Sequence, residues 1–320
     1  MVNLRRLQSA FVLLLTVAGV SGCAGTPVTQ DLIRSPPSGL PRTAEVGTVP
    51  FYPQTENHCG PAALATVLNF SGLKTTPETL SKSVYTPGRQ GTLQTEIVTG
   101  VQRRGRLALP VAGMKDAFRE VANGRPILVL QNLGLDFAPQ WHYAVLVGYD
   151  LNDEHVVLRS GKTRRLIEDM GTFEHTWRRS GFWGVSLARP EGPVPETVSM
   201  SSWLRAALGL ERAGRPADAV TAYWTAADRW HRAATPLVLA ANVMIGQDDL
   251  DAAERTLRAA LRRDEDNAVA LNNLANVLML REKWSEAESV ARAAVDAGGR
   301  TSQAAAETLS TIRKARPGRP

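Results

Sequence analysis

The chain of 320 residues is 43% hydrophobic, which is enough for packed cores and leaves room for about two domains of ordinary size. This composition excludes an intrinsically disordered protein, and the presence of only two cysteines excludes a small scaffold held together by disulfides. Lysine and arginine number 37 against 31 acidic residues, and the net charge of +6 is spread too thinly along the chain to predict nucleic-acid binding.

Residues 1–22 have the features of an export signal. Two arginines give them a basic start, and an apolar run covers residues 10–20. That run is too short to span a bilayer, which takes about 20 residues. The letters VSGC at 20–23 resemble a bacterial lipobox, which implies cleavage before Cys23 and lipidation of its thiol. An ordinary signal whose cleavage site happens to contain a cysteine is the alternative.

The lipobox resemblance also implies a location. Acyl chains on Cys23 would hold an exported protein on a bacterial membrane, and on the outer membrane if the cell has two. Residues 23–47 contain several prolines and show neither a helical nor a strand period. They are therefore predicted to form a flexible, lipidated tether.

A cysteine stands at the start of the next predicted element. Apolar residues recur at helical spacing over residues 61–70, and Ser71 with Gly72 supplies the stop. Pro61 fits only the first turn of a helix, so Cys59 is predicted to lie at the helix N-terminus. The free amide hydrogens and the helix dipole there stabilise a thiolate, which predicts a lowered thiol pKa and a candidate nucleophile. A small buried residue that merely begins a core helix is the alternative.

Further along the chain the sequence predicts an antiparallel meander. Apolar runs that read as strands occupy residues 125–130, 142–149 and 156–158. Residues 150–154 are rich in turn formers, so we expect a hairpin centred near residues 152–153. That register places the partner of His142 around residues 160–163.

Several of these residues together resemble the bacteriocin-processing, double-glycine-leader cysteine peptidases, a papain-like group. The matching pieces are Gln54, CGPAAL at 59–64, GRP at 124–126 and HYAVLVGYD at 142–150. The resemblance implies a peptidase domain over residues 48–195. In it Cys59 is the nucleophile, His142 the general base, and Gln54 the side-chain donor that stabilises the oxyanion with the Cys59 amide.

The residue expected to orient the histidine departs from the family pattern. The family usually has aspartate or asparagine on the strand after the histidine strand, whereas residues 158–161 read LRSG here. Ser160 is therefore predicted to orient His142, although a hydroxyl supports an imidazolium less than a carboxylate does. Asp150 is a poor substitute, because eight residues of extended strand would put it roughly 26 Å away.

No metal or cofactor is predicted. The sequence has no CxxC or HExxH pattern, and no histidines and cysteines at ligand spacing. Well-known members of the resembled family are often fused to ATP-driven exporters, but the sequence has no GxxxxGK[ST] box, so ATP is not expected. Neither the charge nor any motif predicts a nucleic-acid partner.

From residue 198 the composition shifts to alanine, leucine, arginine and glutamate, with no strand pattern. Similar residues recur at an offset of 34 residues, in the sets Trp203, Leu237, Leu271; Ala207, Ala241, Ala275; Ala219, Ala253, Ala287; and Ala226, Ala260, Ala294. This resembles the tetratricopeptide repeat and predicts a repeat stack over 198–315, capped by a last helix at 302–315 and followed by a basic tail at 316–320. An unrelated helical bundle is the alternative.

The predicted architecture is therefore α+β, a papain-like cysteine peptidase domain with its N-terminal helix on an antiparallel sheet, followed by an all-α tetratricopeptide-repeat stack. The favoured function is a membrane-anchored thiol peptidase whose repeats recruit a protein substrate or partner, with a purely structural role of the repeats left open. Two other functions also stay open: a binding or scaffold lipoprotein with little or no turnover, and a thiol acyltransferase or deamidase. No residue pattern predicts the cleaved sequence.

Overall fold

The computed structural model describes residues 25–54 and 58–317. The predicted signal at residues 1–22 and the predicted lipidation site Cys23 lie outside the described residues. An α+β part comes first, and a wholly helical part follows it.

The α+β part contains α1 (Pro27–Arg34), β1 (Thr43–Glu45), α2 (Cys59–Phe70), α3 (Pro77–Val84), α4 (Gln94–Gln102), β2 (Leu107–Pro110), α5 (Met114–Ala122), β3 (Ile127–Asn132), β4 (Trp141–Asp150), β5 (His155–Ser160), β6 (Thr163–Asp169), α6 (Met170–Arg178) and β7 (Gly184–Ala188). The helical part contains α7 (Met200–Arg212), α8 (Pro216–Arg229), α9 (Thr235–Gly246), α10 (Leu250–Leu261), α11 (Ala268–Leu280), α12 (Trp284–Ala297) and α13 (Ser302–Ala315). Short 3₁₀ turns occur at Pro87–Arg89 and Gly299–Thr301.

One antiparallel sheet of seven strands forms the centre of the α+β part. Its order is β2-β7-β3-β4-β5-β6, and β1 pairs with the far end of β4. Helices α2 and α5 pack against β4, and residues 143–149 are buried. This burial explains why they form a nearly continuous apolar run. The predicted hairpin is confirmed, because Asp150 pairs with His155 and Val145 with Arg159.

Helix α2 is a central helix. Every residue from Gly60 to Leu68 is buried, which explains why its apolar positions are so numerous. Gly60 is required by a close approach, since a Cβ there would lie 2.5 Å from the Thr92 side chain. The helix begins at Cys59 and ends at Phe70, as the sequence predicts.

The predicted flexible tether is wrong for the described residues of 23–47, which fold onto the α+β part. The Glu174 carboxylate accepts a hydrogen bond of 2.7 Å from the Thr29 amide, and the Tyr149 hydroxyl donates one of 2.8 Å to the Pro41 carbonyl. Strand β1 pairs with β4, and Leu32 of α1 is fully buried. These contacts join residues far apart in the sequence, so a local search for helical or strand periods does not detect them.

We expect Tyr149→Phe to lower the free energy of unfolding by about 1 kcal/mol, because it leaves the Pro41 carbonyl without its donor. Tyr143→Phe is the matched control. Its hydroxyl is buried without a hydrogen-bond partner among the described residues, so its loss should be neutral or stabilising. Urea unfolding of both variants measures the difference, and equal stabilities would contradict the docking of the segment around Pro41.

The helical part buries the positions that recur at the 34-residue offset. The buried residues are Trp203, Leu237 and Leu271 with Ala207, Ala241, Ala275, Ala219, Ala253, Ala287, Ala226, Ala260 and Ala294. Small side chains there let paired helices approach closely. Helix α13 packs on α11 and α12, and Arg316 of the predicted basic tail still pairs with Glu288 at 3.3 Å. Assignment to the tetratricopeptide repeat stays a prediction.

The two parts share a hydrophobic core. Leu107 and Leu109 of β2 cluster with Trp203 and Leu210 of α7 and with residues of α8 and α9. Among the described strands, β2 pairs with β7 alone, and helix α7 packs against β2. Across residues 25–54 and 58–317, no helix has the length and apolar character needed to cross a membrane.

Candidate active site

Cys59 lies half-buried at the first turn of α2. Burial raises the pKa of its thiol, while hydrogen bonding from the backbone of Tyr143, Gly60 and Cys59 itself acts to lower it. The lowered pKa predicted from the helix end is therefore wrong in direction. The backbone amides do favour a thiolate, but loss of hydration at this half-buried position has the larger effect.

We expect the alkylation of Cys59 by iodoacetamide to show a midpoint above the ordinary thiol pKa of about 8.5, because the thiolate is the reactive form. The rate would be measured against pH, with Cys23 replaced by serine and Cys59→Ser as the blank. A midpoint below the ordinary value would instead indicate a preformed thiolate–imidazolium pair and contradict the effect of burial.

His142 lies near the start of β4, and its ring contacts Ser160. The His142 Nε2 and the Ser160 Oγ are 2.8 Å apart, and burial lowers the pKa of the imidazole. A neutral imidazole has one nitrogen that donates and one that accepts a hydrogen bond. Because Nε2 lies against Ser160, the nitrogen that accepts the thiol proton is Nδ1, and Nε2 then carries the hydrogen and donates it to Ser160. The contact leaves Nδ1 as the nitrogen available for proton transfer.

The structure brings Cys59 and His142 onto elements in contact. Helix α2 packs on β4, and the backbone groups that lower the thiol pKa include that of Tyr143, the residue after His142. Among the hydrogen bonds of the described residues, none joins the thiol directly to the imidazole. Such bonds are often long in substrate-free enzymes and shorten when the substrate binds.

Ser160 is buried at the end of β5, where a bulge interrupts the pairing with β6. The next residue, Gly161, has a φ of +57°, which suits a glycine in the turn. Asp150 is committed elsewhere, since its Oδ1 accepts hydrogen bonds from the Asn152 and Asp153 amides. Ser160 is thus the hydroxyl beside the His142 ring, at the position where the family usually has a carboxylate or an amide.

Gln54 is buried between β4 and the turn that follows β5. Its Nε2 donates to the Tyr143 carbonyl at 3.1 Å, and its Oε1 accepts from the Gly161 amide at 2.9 Å. One hydrogen of the Nε2 amide remains for an oxyanion. The sequence gives no signal for these contacts, because both partners of the side chain are backbone groups.

His58 is the chain neighbour of Cys59. The ring of His58 stacks on Tyr85 with centroids 4.9 Å apart, so it lies against α3. Within the described part of the chain, no group of histidine, cysteine, aspartate and glutamate residues is arranged to hold a metal ion.

The hairpin between β3 and β4 carries exposed apolar side chains next to the candidate site. Leu135 is 54% exposed, Phe137 85% and Trp141 52%, and β4 continues from Trp141 into His142. Arg179 fixes this hairpin by donating to the carbonyls of Asn132 and Gly134. An ordered apolar surface therefore borders the candidate site.

A protein-family model matches the part of the chain that holds the candidate site. A search among curated proteins gave no match. The crystal structure of a Bacillus anthracis protein classed as a C39-like peptidase is 17% identical, and the alignment covers 47% of this chain and 98% of that chain with a TM-score of 0.41. Residues 46–185, which include Cys59, His142 and Ser160, match the model of the Peptidase_C39 like family.

Proposed function

We propose that this protein is a cysteine peptidase that hydrolyses peptide bonds with Cys59 and His142. The observation that carries the proposal is the contact of 2.8 Å between His142 Nε2 and Ser160 Oγ, on a strand that packs against the helix beginning at Cys59. It orients the ring and leaves Nδ1 for the thiol. The family match over residues 46–185 supports the same chemistry.

The proposed reaction begins with a neutral pair, because burial raises the pKa of Cys59 and lowers that of His142. The thiol proton passes to Nδ1 of His142 as Sγ bonds to the peptide carbonyl carbon. The spare hydrogen of Gln54 Nε2 and the Cys59 amide stabilise the oxyanion. His142 then protonates the leaving amine as the C–N bond breaks. Water cleaves the thioester to a carboxylic acid and restores the thiol.

Two further parts of the proposal concern location and recruitment. Lipidation of Cys23 would place the enzyme on a bacterial membrane, and the helical part would recruit a protein substrate or partner. The core shared by β2 and α7 supports recruitment, because it gives the helical part a fixed position relative to the peptidase fold. The exposed apolar side chains of the hairpin before His142 provide contact area for a peptide.

A second candidate function is a binding lipoprotein that has lost turnover. The observation that favours it is the neutral resting pair, together with a serine where the family usually has an acid or an amide. A neutral thiol needs a well-placed base at the moment of attack, and a hydroxyl supports the resulting imidazolium weakly.

The test is digestion of a degenerate peptide library by the full chain in water enriched in ¹⁸O, with Cys59→Ala as the matched control. A hydrolase gives new C-termini that carry one ¹⁸O, and the control gives none. Products joined to an added amine instead of water would indicate acyl transfer. A library left intact by both proteins would favour the binding function.

A further inference from the structure

We infer that Gln54 is a positioning residue, which holds Ser160 against His142 by bridging the backbone next to each of them. The inference builds on the proposed peptidase function, but it concerns the resting protein. It assigns Gln54 a second task beside the donation of a hydrogen bond to an oxyanion.

The bridge is made by both ends of the side-chain amide. Nε2 donates to the carbonyl of Tyr143, which follows His142, and Oε1 accepts from the amide of Gly161, which follows Ser160. The Gln54 backbone amide also donates to the Gly161 carbonyl at 2.9 Å. Both backbone polar groups of Gly161 are therefore bonded to one residue.

The Gln54 side chain continues the connection between β4 and β5 beyond the end of their regular pairing. Regular pairing of β4 with β5 ends at Val145 and Arg159, before the strands reach His142 and Ser160. Beyond that point the Gln54 amide lies between Tyr143 and Gly161 and bonds to each of them, as a backbone partner would in the ladder. Without it, the Tyr143 carbonyl and the Gly161 amide would lose these bonds at a largely buried site, which is costly.

The bridge controls the distance between His142 and Ser160. The Ser160 Oγ can stay 2.8 Å from Nε2 only while the turn at Gly161 keeps its position relative to β4. Gly161 has a φ of +57°, and as a glycine it has no side chain that could hold this conformation. Loss of the Gln54 side-chain amide leaves only the Gln54 backbone amide on Gly161. We therefore expect the turn to move and the contact between Ser160 and His142 to break.

The experiment is a double-mutant cycle on the titration of His142, read by NMR of histidine-labelled full chain in detergent. The signal is assigned by its loss in His142→Gln. Ser160→Ala should lower the pKa of His142 in the wild-type background, because the imidazolium loses a hydrogen-bond acceptor. In the Gln54→Ala background the same substitution should produce no further shift, because the contact is already broken.

Two controls keep the result interpretable. Gln54→Met preserves the volume of the side chain without its amide and replaces Gln54→Ala if that variant does not fold. Gln140→Ala removes an exposed glutamine from the neighbouring hairpin and should leave the cycle as in the wild type. An equal effect of Ser160→Ala in both backgrounds would overturn the inference, and so would an absent effect in the wild type.

Failure of this inference and failure of the peptidase function are separable. The titration needs neither a substrate nor turnover. A coupled cycle together with an uncleaved peptide library would therefore support the positioning role of Gln54 and contradict the hydrolase function. Uncoupled shifts with cleaved peptides would do the reverse. An oxyanion donor without a positioning role would change turnover alone and leave the resting titration of His142 unmoved.

Discussion

His142→Ala is expected to reduce the rate of peptide hydrolysis by about 10²–10⁴-fold, the usual contribution of a general acid–base residue. The loss should be large because the resting thiol is neutral: burial raises its pKa, so few thiolates form without a base. The measurement is kcat/KM on a peptide taken from the library digestion.

His58→Ala is the matched control for that variant. His58 is the chain neighbour of Cys59, but its ring stacks on Tyr85. We expect a change of less than about threefold, which is about 0.65 kcal/mol in the barrier. A large loss in His58→Ala with little loss in His142→Ala would mean that the wrong histidine has been assigned as the base.

Glu254→Ala should lower the free energy of unfolding by about 2 kcal/mol, because it removes the acceptor of charge-assisted hydrogen bonds. The Glu254 side chain is 3% exposed, and both of its oxygens lie 2.9 Å from Lys283 Nζ. Arg258 and Arg281 also bond to it. The partly exposed cations can rehydrate, so the expected loss is smaller than for a fully buried pair.

Glu286→Ala is the control for the loss of a negative charge in the same region. Its side chain is 47% exposed and contacts Arg258, so its loss should cost less than about 1 kcal/mol. Urea unfolding at pH 7 compares the two variants. Equal losses would contradict a special role of the buried carboxylate.

The pH dependence gives a second readout for Glu254. Burial opposes its ionisation, but hydrogen bonds and positive charges from Lys283 and Arg258 outweigh that effect and hold its pKa below the usual range. Its contribution to stability is therefore complete above the unfolded glutamate pKa of about 4.3 and falls as the pH drops through the lower folded value. The wild type should lose its advantage over Glu254→Ala in that acidic range.

Local patterns predict the elements around the candidate site well. Helix α2, strands β3, β4 and β5, and the turn at 150–154 follow from spacing and turn chemistry, and they suffice to put Ser160 near His142. These elements are predictable because each of them has a strong local pattern, and because a short hairpin fixes its own register.

Long-range contacts account for what the sequence does not predict. Helix α1 and strand β1 owe their structure to Glu174, Tyr149 and β4, which are distant in the chain. The pKa of Cys59 depends on burial that no local pattern measures, and the Gln54 bridge uses backbone partners. Glu254 and Glu288 are an exception, because the same residue type recurs there at the 34-residue offset. In the structure each of them pairs with several cations.

The central claim is that Cys59 forms a covalent intermediate with the help of His142, and intact-mass spectrometry of the full chain with an activated peptide ester tests it most directly. The account predicts a mass gain equal to the acyl group on Cys59, slowed strongly in His142→Ala and absent in Cys59→Ala. An acyl group found elsewhere, or one that forms equally fast without His142, would contradict it.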